Sequence, residues 1–412
     1  MASKEKVFVV NVRPTILLSG QPKSTIAAIA QHLLASIRET TRRQGPSALR
    51  KAAWRSGLAA ICAIAASAHA DEGRFYGMLR SRDLTPFGFL RLDMRPAHAV
   101  SIEPHTFAFE AELGYQNTWA LSRNVETYLK SLESSGRREI GPAEIDAIRN
   151  LPGENYLLDL ESATLDLTAH YKLSSRWSVY AIATAVSYQG GFLDSTIESF
   201  HEALGFSTFG RHAIARNRTH LIYDLKSTQV VLSEPPKSPG FLDPTIGLRY
   251  AGIKLPGRWR MSMEAAVKVP LDGERPLLST GRTDYGFQTS VRRLGERNAL
   301  HVDLAVVYYA GEDIPSPHDA QVVPTVVIGW ERQMSAHTNI NLQGYASRSV
   351  YQRAQTDLDE LLSDKYQLSL GFRHRLDCCV VSFAATENLQ NLNNTPDIGF
   401  QMGFAWVPRP RK

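Results

Sequence analysis

The chain has 412 residues, a formal net charge of +5 and 43% hydrophobic residues, which is enough apolar material for a core and excludes a disordered chain. Its 3 Cys exclude a disulfide framework. Residues 1–70 hold ten Lys or Arg against two acids, so the other 36 bases and 39 acids leave residues 71–412 at −3, and a basic nucleic-acid-binding body is excluded.

Residues 57–68 read GLAAICAIAASA, an unbroken small or apolar run. Arg50, Lys51 and Arg55 precede it, and Ala68-His69-Ala70 follows. A positive flank, a short apolar core and a small-x-small exit predict a secretory signal over 47–70, with Ala68 and Ala70 as the small residues of the cleavage site and Asp71 as the first mature residue. The run is too short for a membrane helix, which needs about 20 residues; a buried soluble helix is the alternative. Residues 1–46 are a long charged preface, read as a start-site artefact or leader. Residues 71–104 are expected to form a periplasmic N-terminal segment. Cys378 and Cys379 are neighbours, expected to be inert side chains of one strand.

After residue 70 no run of 18 apolar residues occurs, and period-two alternation takes over. Phe107, Phe109, Ala111, Leu113 and Tyr115 alternate with Ala108, Glu110, Glu112 and Gly114. The same pattern recurs at 259–269, 300–308 and 367–373. Short and long connections alternate strictly, as periplasmic turns and outer loops do in a membrane barrel. Strands are predicted at 105–119, 156–173, 177–189, 243–252, 259–270, 284–292, 298–310, 323–332, 338–348, 365–376, 378–388 and 397–407. A further strand-like stretch, 219–231, is placed inside the second outer loop, because an odd count leaves the two ends on opposite faces. The fold class is therefore all-β: a closed antiparallel transmembrane β-barrel of about twelve strands over 105–407, with ten or fourteen as alternatives, a helical segment in one outer loop and a basic tail at 408–412. Closure follows from the need to pair every backbone N–H and C=O inside hydrocarbon. Aromatics near strand ends, including Trp119, Tyr156, Tyr188 and Trp406, are expected at the membrane interfaces. In the last strand, Gly399, Met402 and Phe404 resemble the signal that barrel-assembly machinery reads.

Several stretches resemble the outer-membrane barrel family catalogued as domain of unknown function 3187. They are Arg82-Asp83-Leu84-Thr85-Pro86, Gly190-Gly191-Phe192-Leu193-Asp194, Phe200-His201-Glu202-Ala203-Leu204-Gly205-Phe206, Gly210-Arg211, Thr386-Glu387-Asn388-Leu389 and Asn394-Thr395-Pro396-Asp397-Ile398-Gly399. They occur in order over 75–407. The resemblance implies a bacterial outer-membrane location and carries no activity.

The alternation turns charges of both signs toward the lumen: Glu110, Glu112, Asp166, His170, Arg249, Arg260, Glu264, Lys268, Arg292, His301, Asp303, Glu331 and Arg373. They either select solutes in a pore or pair with one another and stiffen the wall. Residues 192–206 read as a helix whose Leu193, Ile197, Phe200 and Leu204 form one apolar stripe. With His201 at the stripe's edge, this helix is either a gate at the outer mouth or packing on the barrel rim. No GxSxG, HExxH or His-x-Ser strand pair occurs, so neither catalysis nor a cofactor or metal is expected. The function expected is a passive pore or solute-binding barrel for small solutes, inserted in outer-membrane lipids. A lipid-modifying hydrolase and a structural protein with a plugged lumen are the alternatives. No nucleic-acid partner is expected.

Overall fold

Alternation becomes strand throughout the body, and the strands form one antiparallel sheet that closes on itself. The structure, a computed structural model, describes residues 74–83, 90–96, 103–205, 207–226, 228–232, 240–271, 273–311, 319–390 and 395–406. The expected signal with Ala68 and Ala70, the preface 1–46 and the tail 408–412 lie outside the described residues.

The strands are β1 (Phe107–Leu121), β2 (Asn155–Lys172), β3 (Trp177–Gln189), β4 (His220–Leu225), β5 (Thr228–Leu232), β6 (Gly240–Phe241), β7 (Thr245–Leu255), β8 (Trp259–Lys268), β9 (Asp284–Leu294), β10 (Asn298–Tyr309), β11 (Gln321–Gln333), β12 (Thr338–Ser347), β13 (Lys365–Arg375), β14 (Cys379–Gln390) and β15 (Ile398–Trp406). The helices are α1 (Arg123–Leu132), α2 (Pro142–Arg149), α3 (Asp194–Leu204) and α4 (Asp359–Leu362). β3 pairs directly with β7, from Trp177↔Tyr250 to Ile182↔Thr245, β6 is a short extension of β7 on the same edge at Ala185↔Phe241 and is counted with it, and β4 and β5 stand outside the ring. β1 then pairs with β15, from Phe109↔Trp406 to Asn117↔Ile398, and the remaining twelve strands close. Closure leaves no sheet edge to be satisfied by water. The hairpin β4–β5 is the predicted 219–231 stretch; β4 extends the sheet along Asn155–Asp159 of β2.

The two faces differ as the period demands. Leu113, Leu167, Phe287, Leu304, Leu370, Met402 and Phe404 are exposed on the outer surface. Between them, Asp166, Gln288, Asp303, Glu331, Gln343, Gln367 and Gln401 are buried inside. An exposed apolar belt around a polar interior is the inverse of a water-soluble sheet and matches a barrel in lipid. Among the described residues no helix is long and apolar enough to cross a membrane.

β1 and β2, at 15 and 18 residues, overrun the roughly 9–11 residues a tilted strand needs to cross the hydrocarbon. Their overhang at the long-loop end is covered on both faces. Inside, Tyr156, Leu158 and Leu160 join Tyr188, Tyr223, Tyr309, Val350 and Tyr351 in an apolar layer across the outer mouth. Outside, Trp119, Leu121 and Leu157 pack against Val125 and Leu129 of α1 and Ile148 of α2. Trp119, Tyr156 and Tyr188 are thus buried under loops, and the expectation that they line a membrane interface is corrected.

Replacing Leu370, in the middle of β13, by Arg is expected to cost about 2–4 kcal/mol of folding free energy in lipid vesicles. Urea titration of the refolded protein measures this; an unchanged midpoint would place that row away from lipid.

Candidate functional site: a lumen filled by the chain's own N-terminal segment

The segment expected in the periplasm lies inside the barrel. Residues 74–83 climb from the short-turn end: Phe75 packs on Leu294 and Ala299 beside the 295–297 turn, and Met78 on Val327 and Tyr345 midway. Asp83 then meets Lys365 Nζ at 2.8 Å, at the outer end of β13. Residues 90–96 descend: Leu92 N donates to Asp284 at 2.8 Å, at the outer end of β9, and Arg95 reaches Asp166, partway down β2, at 2.7 Å. His105 N donates to Lys172 O at 2.7 Å, back at the short-turn end where β1 begins. The assignment of 71–104 to the periplasm is therefore corrected over 74–83 and 90–96. The segment is rich in Arg and lacks alternation; Arg80, Arg82 and Arg95 meet carboxylates of the wall, and Arg91 meets Asp83 and Asp93 of the segment itself.

An extended chain in a closed lumen brings peptide groups that have no sheet of their own, and each must find a partner. β12 supplies neutral amides at every second position. Asn339 Nδ2 donates to Arg74 O at 2.8 Å, Asn341 Nδ2 to Gly77 O at 2.9 Å and Gln343 Nε2 to Leu79 O at 3.1 Å. Arg373 donates to Tyr76 O at 2.6 Å and also to Met78 O. Glu331 accepts from Tyr76 N at 2.7 Å and Gly77 N at 3.1 Å, and His301 Nε2 lies 3.0 Å from it. Beside Glu331, Gly329 forms a socket: a Cβ there would lie 2.6 Å from Met78 Sδ.

The charges follow the same logic. Asp166 pairs with both Arg82 and Arg95. Arg91 lies 3.7 Å from Asp83 and from Asp93, and donates to Tyr345 Oη at 2.9 Å. Arg80 lies 3.3 Å from Glu110, which also faces His170 at 3.0 Å. Glu112 lines a space with Arg80, Arg95 and Arg373. Lys268 donates to Leu90 O at 2.9 Å and lies 3.1 Å from Asp284. Arg249 and Glu264 pair within the wall at 2.8 Å. Asp303 is buried, Arg292 is half-buried, and Arg260 donates to Trp259 O at 3.2 Å near the short-turn end. Sequence reasoning chose charged wall residues and missed Asn339, Asn341, Gln343, Asp284, Lys365 and every hairpin residue. The alternation of Asn339, Asn341 and Gln343 with Ile340 and Leu342 was the available signal for the amides.

Among the described residues, the space beside the segment is small. Between Arg80, Arg95, Glu112, Asp166 and Arg373 it amounts to about 20 Å³ for the centres of water-sized spheres, on the scale of one or two waters. A second space, between Arg82, Arg91, Asp243 and Lys268, amounts to about 30 Å³. Among the described residues no group of three His, Cys, Asp or Glu side chains is placed to hold a metal ion.

α3 does not lie over the mouth. Leu193 and Ile197 are buried, and the helix sits on the outward face of β1 and β2. There Glu161 accepts from Leu193 N at 2.7 Å, Phe192 N at 3.0 Å and Tyr115 Oη. Arg211 bridges Asp194, Asn117 and Asp397, with its guanidinium 4.7 Å from the Trp119 ring centre. Gly191 has φ +78°, and a Cβ there would fall 1.8 Å from Glu161 Cδ. The gate placement is corrected for a physical reason: an apolar stripe says that a helix packs, and not on which surface. Phe200 is exposed, His201 Nδ1 lies 2.9 Å from Ser207 O, and the Leu204 side chain lies outside the described residues. In the last strand, Gly399 is buried while Met402 and Phe404 face outward.

The model of a family described as "Protein of unknown function (DUF3187)" matches residues 150–406. No curated protein matches the chain. Similar solved structures include an outer membrane channel from Pseudomonas putida F1, at 8% identity over 75% of this chain and 97% of that one, with a TM-score of 0.44. The P. putida toluene transporter TodX is 10% identical over 75% of this chain and 91% of its own, with a TM-score of 0.34. A Pseudomonas aeruginosa FadL homologue is 9% identical over 73% and 89%, with a TM-score of 0.29.

Two outcomes follow from the contacts. Asp166→Asn leaves Arg82 and Arg95 buried without their carboxylate and is expected to cost about 3–5 kcal/mol, read as a lower urea midpoint. In the outer loops, burial pushes the Glu198 carboxyl up, but hydrogen bonds from Arg216 and Arg137 more than offset this and hold it below its ordinary value. Its contribution is full above the ordinary carboxylate range and is lost as pH falls through the depressed value. Protease cleavage of the 194–218 loop should therefore rise only below the pH at which free glutamates protonate, and Glu198→Gln should raise it at neutral pH.

Proposed function

The chain belongs to the family of unknown function DUF3187, and we propose that this member is an outer-membrane channel for small polar solutes, held shut by its own N-terminal hairpin. In this reading the short turns face the periplasm and the long loops the outside, as in bacterial barrels. The single observation that carries it is where the wall charges find their partners. Asp166 pairs with Arg82 and Arg95, Lys365 with Asp83, and Arg373 donates to Tyr76 O, so each finds partners on the hairpin in addition to wall contacts such as that of Thr184 with Asp166. When the hairpin leaves, these groups face water, and the lumen becomes a mixed-charge aqueous passage. A barrel of twelve strands is wide enough for this, since eight strands already leave room for side chains or one small ligand.

The ascending arm's apolar contacts are divided among small separate patches, Phe75 on Leu294, Tyr76 on Val380 and Ala405, and Met78 on Val327, while Leu92 and Met94 of the descending arm join a wider cluster with Tyr180, Ile182 and Val307. The hairpin's polar contacts are of the kind that water replaces. Leu90 at its tip belongs to the apolar layer across the outer mouth, so withdrawing the hairpin also opens that layer. A structural envelope protein is the second reading, favoured by how little space the filled lumen retains.

A reversible lock separates the two. Ser81 Oγ and Ser369 Oγ lie 3.1 Å apart across the hairpin–wall contact. The Ser81→Cys, Ser369→Cys pair, oxidised in planar bilayers, is expected to lose the conductance that reductant restores. Equal conductance in both states would overturn the gate. Silence in the native protein and in the reduced pair alike would favour the structural reading.

A further inference from the structure

α3 carries a surface that the channel reading leaves unused. Leu193 and Ile197 are buried, Asp194 accepts from Asn117 of β1, and Glu198 ties the helix to the neighbouring loops through Arg137 and Arg216. The free surface of α3 is divided lengthwise. Phe192, Phe200 and Ala203 lie along one exposed side at spacings of eight and three, with the small Thr196 between the two aromatics. Ser195, Ser199 and Glu202 form a separate exposed polar stripe. Phe192 is 64% exposed and Phe200 56%, large values for aromatic side chains on one helix. A helix on a water-covered surface has no reason to segregate its exposed face in this way.

The position supplies the second observation. On the outward face of β1 the exposed row runs Phe107, Phe109 and Leu113 up to Tyr115. The Phe192 ring stacks on Tyr115 with centroids 5.1 Å apart. Beyond Tyr115 the row becomes polar and covered, at Asn117, which donates to Asp194. The aromatic side of α3 therefore continues the belt at the level where the belt ends.

We infer that α3 is an interfacial helix, seated with Phe192 and Phe200 in the boundary between headgroups and acyl chains of the leaflet on the long-loop side. The partner is a lipid surface, entered to about 5–10 Å as for other amphipathic helices that lie in a membrane plane. Ser195, Ser199 and Glu202 face water. Through Arg211, which joins α3 to Asp397 at the start of β15, the helix ties the outer loops to the bilayer surface. The inference rests on the reading of the barrel as spanning a bilayer.

The test uses the full chain in lipid vesicles, with single tryptophans added and read as differences from the parent. Phe192→Trp and Phe200→Trp retain an aromatic at exposed sites, so folding is preserved. Their added fluorescence is expected to be lost with lipids brominated near the headgroup and to resist aqueous acrylamide. Ser199→Trp should behave in the opposite way. Leu113→Trp, on the belt, should be quenched by lipids brominated deeper in the chain. If Phe200→Trp is open to acrylamide and blind to bromolipid while Leu113→Trp is quenched, the inference is overturned and the barrel reading stands. If Leu113→Trp is also blind to bromolipid, both fall.

Discussion

Backbone at membrane depth is tolerated only where protein pairs its peptide groups or water reaches them, and in a wall that closes and a lumen that is filled this one constraint organises the molecule. The wall meets it by closing: β1 pairs with β15, and no edge remains. The described arms at 74–83 and 90–96 meet it differently, through side chains that reach in from the wall. Their carbonyls and N–H groups are served chiefly by Asn339, Asn341, Gln343, Glu331 and Arg373. The polarity of the lumen is thus the complement of a backbone, with charge added where Arg80, Arg82 and Arg95 must be neutralised.

The same constraint explains the outer rim. β1 and β2 overrun the hydrocarbon, so their upper halves need other cover. Loops provide it with an apolar layer inside and α1, α2 and α3 outside. The stretches through which the sequence resembles its family meet here. Gly191 and Asp194, Arg211, and Asp397 come from three separate segments and converge on one buried ion network. A network so placed fixes where β1 meets β15, the seam at which the barrel closes.

Much of the fold was legible in the sequence because alternation and loop length are local signals. All twelve strands fall within a few residues of their predicted positions, and 219–231 forms a hairpin outside the ring. The hairpin in the lumen was not legible. Tyr76 and Arg373 are 297 positions apart, and nothing in the Arg-rich segment signals its destination. The wall charges at Asp166, Glu331 and Arg373 could be read from the inward row, but their partners could not. The neutral amides of Asn339, Asn341 and Gln343 carry no charge to mark them in the sequence, although an amide, with both donor and acceptor, suits a peptide group. Trp119 was misplaced because strand length, not aromatic position, decides where the membrane ends.

Amide hydrogen exchange on the protein in lipid vesicles tests the central claim most directly. Tyr76 and Gly77 donate their N–H groups to Glu331 in the filled lumen. Both amides should exchange far more slowly than those of a free segment, and Glu331→Gln should speed them without speeding the exchange of β13. Exchange of Tyr76 and Gly77 at the rate of an unstructured peptide would show that the hairpin does not occupy the lumen.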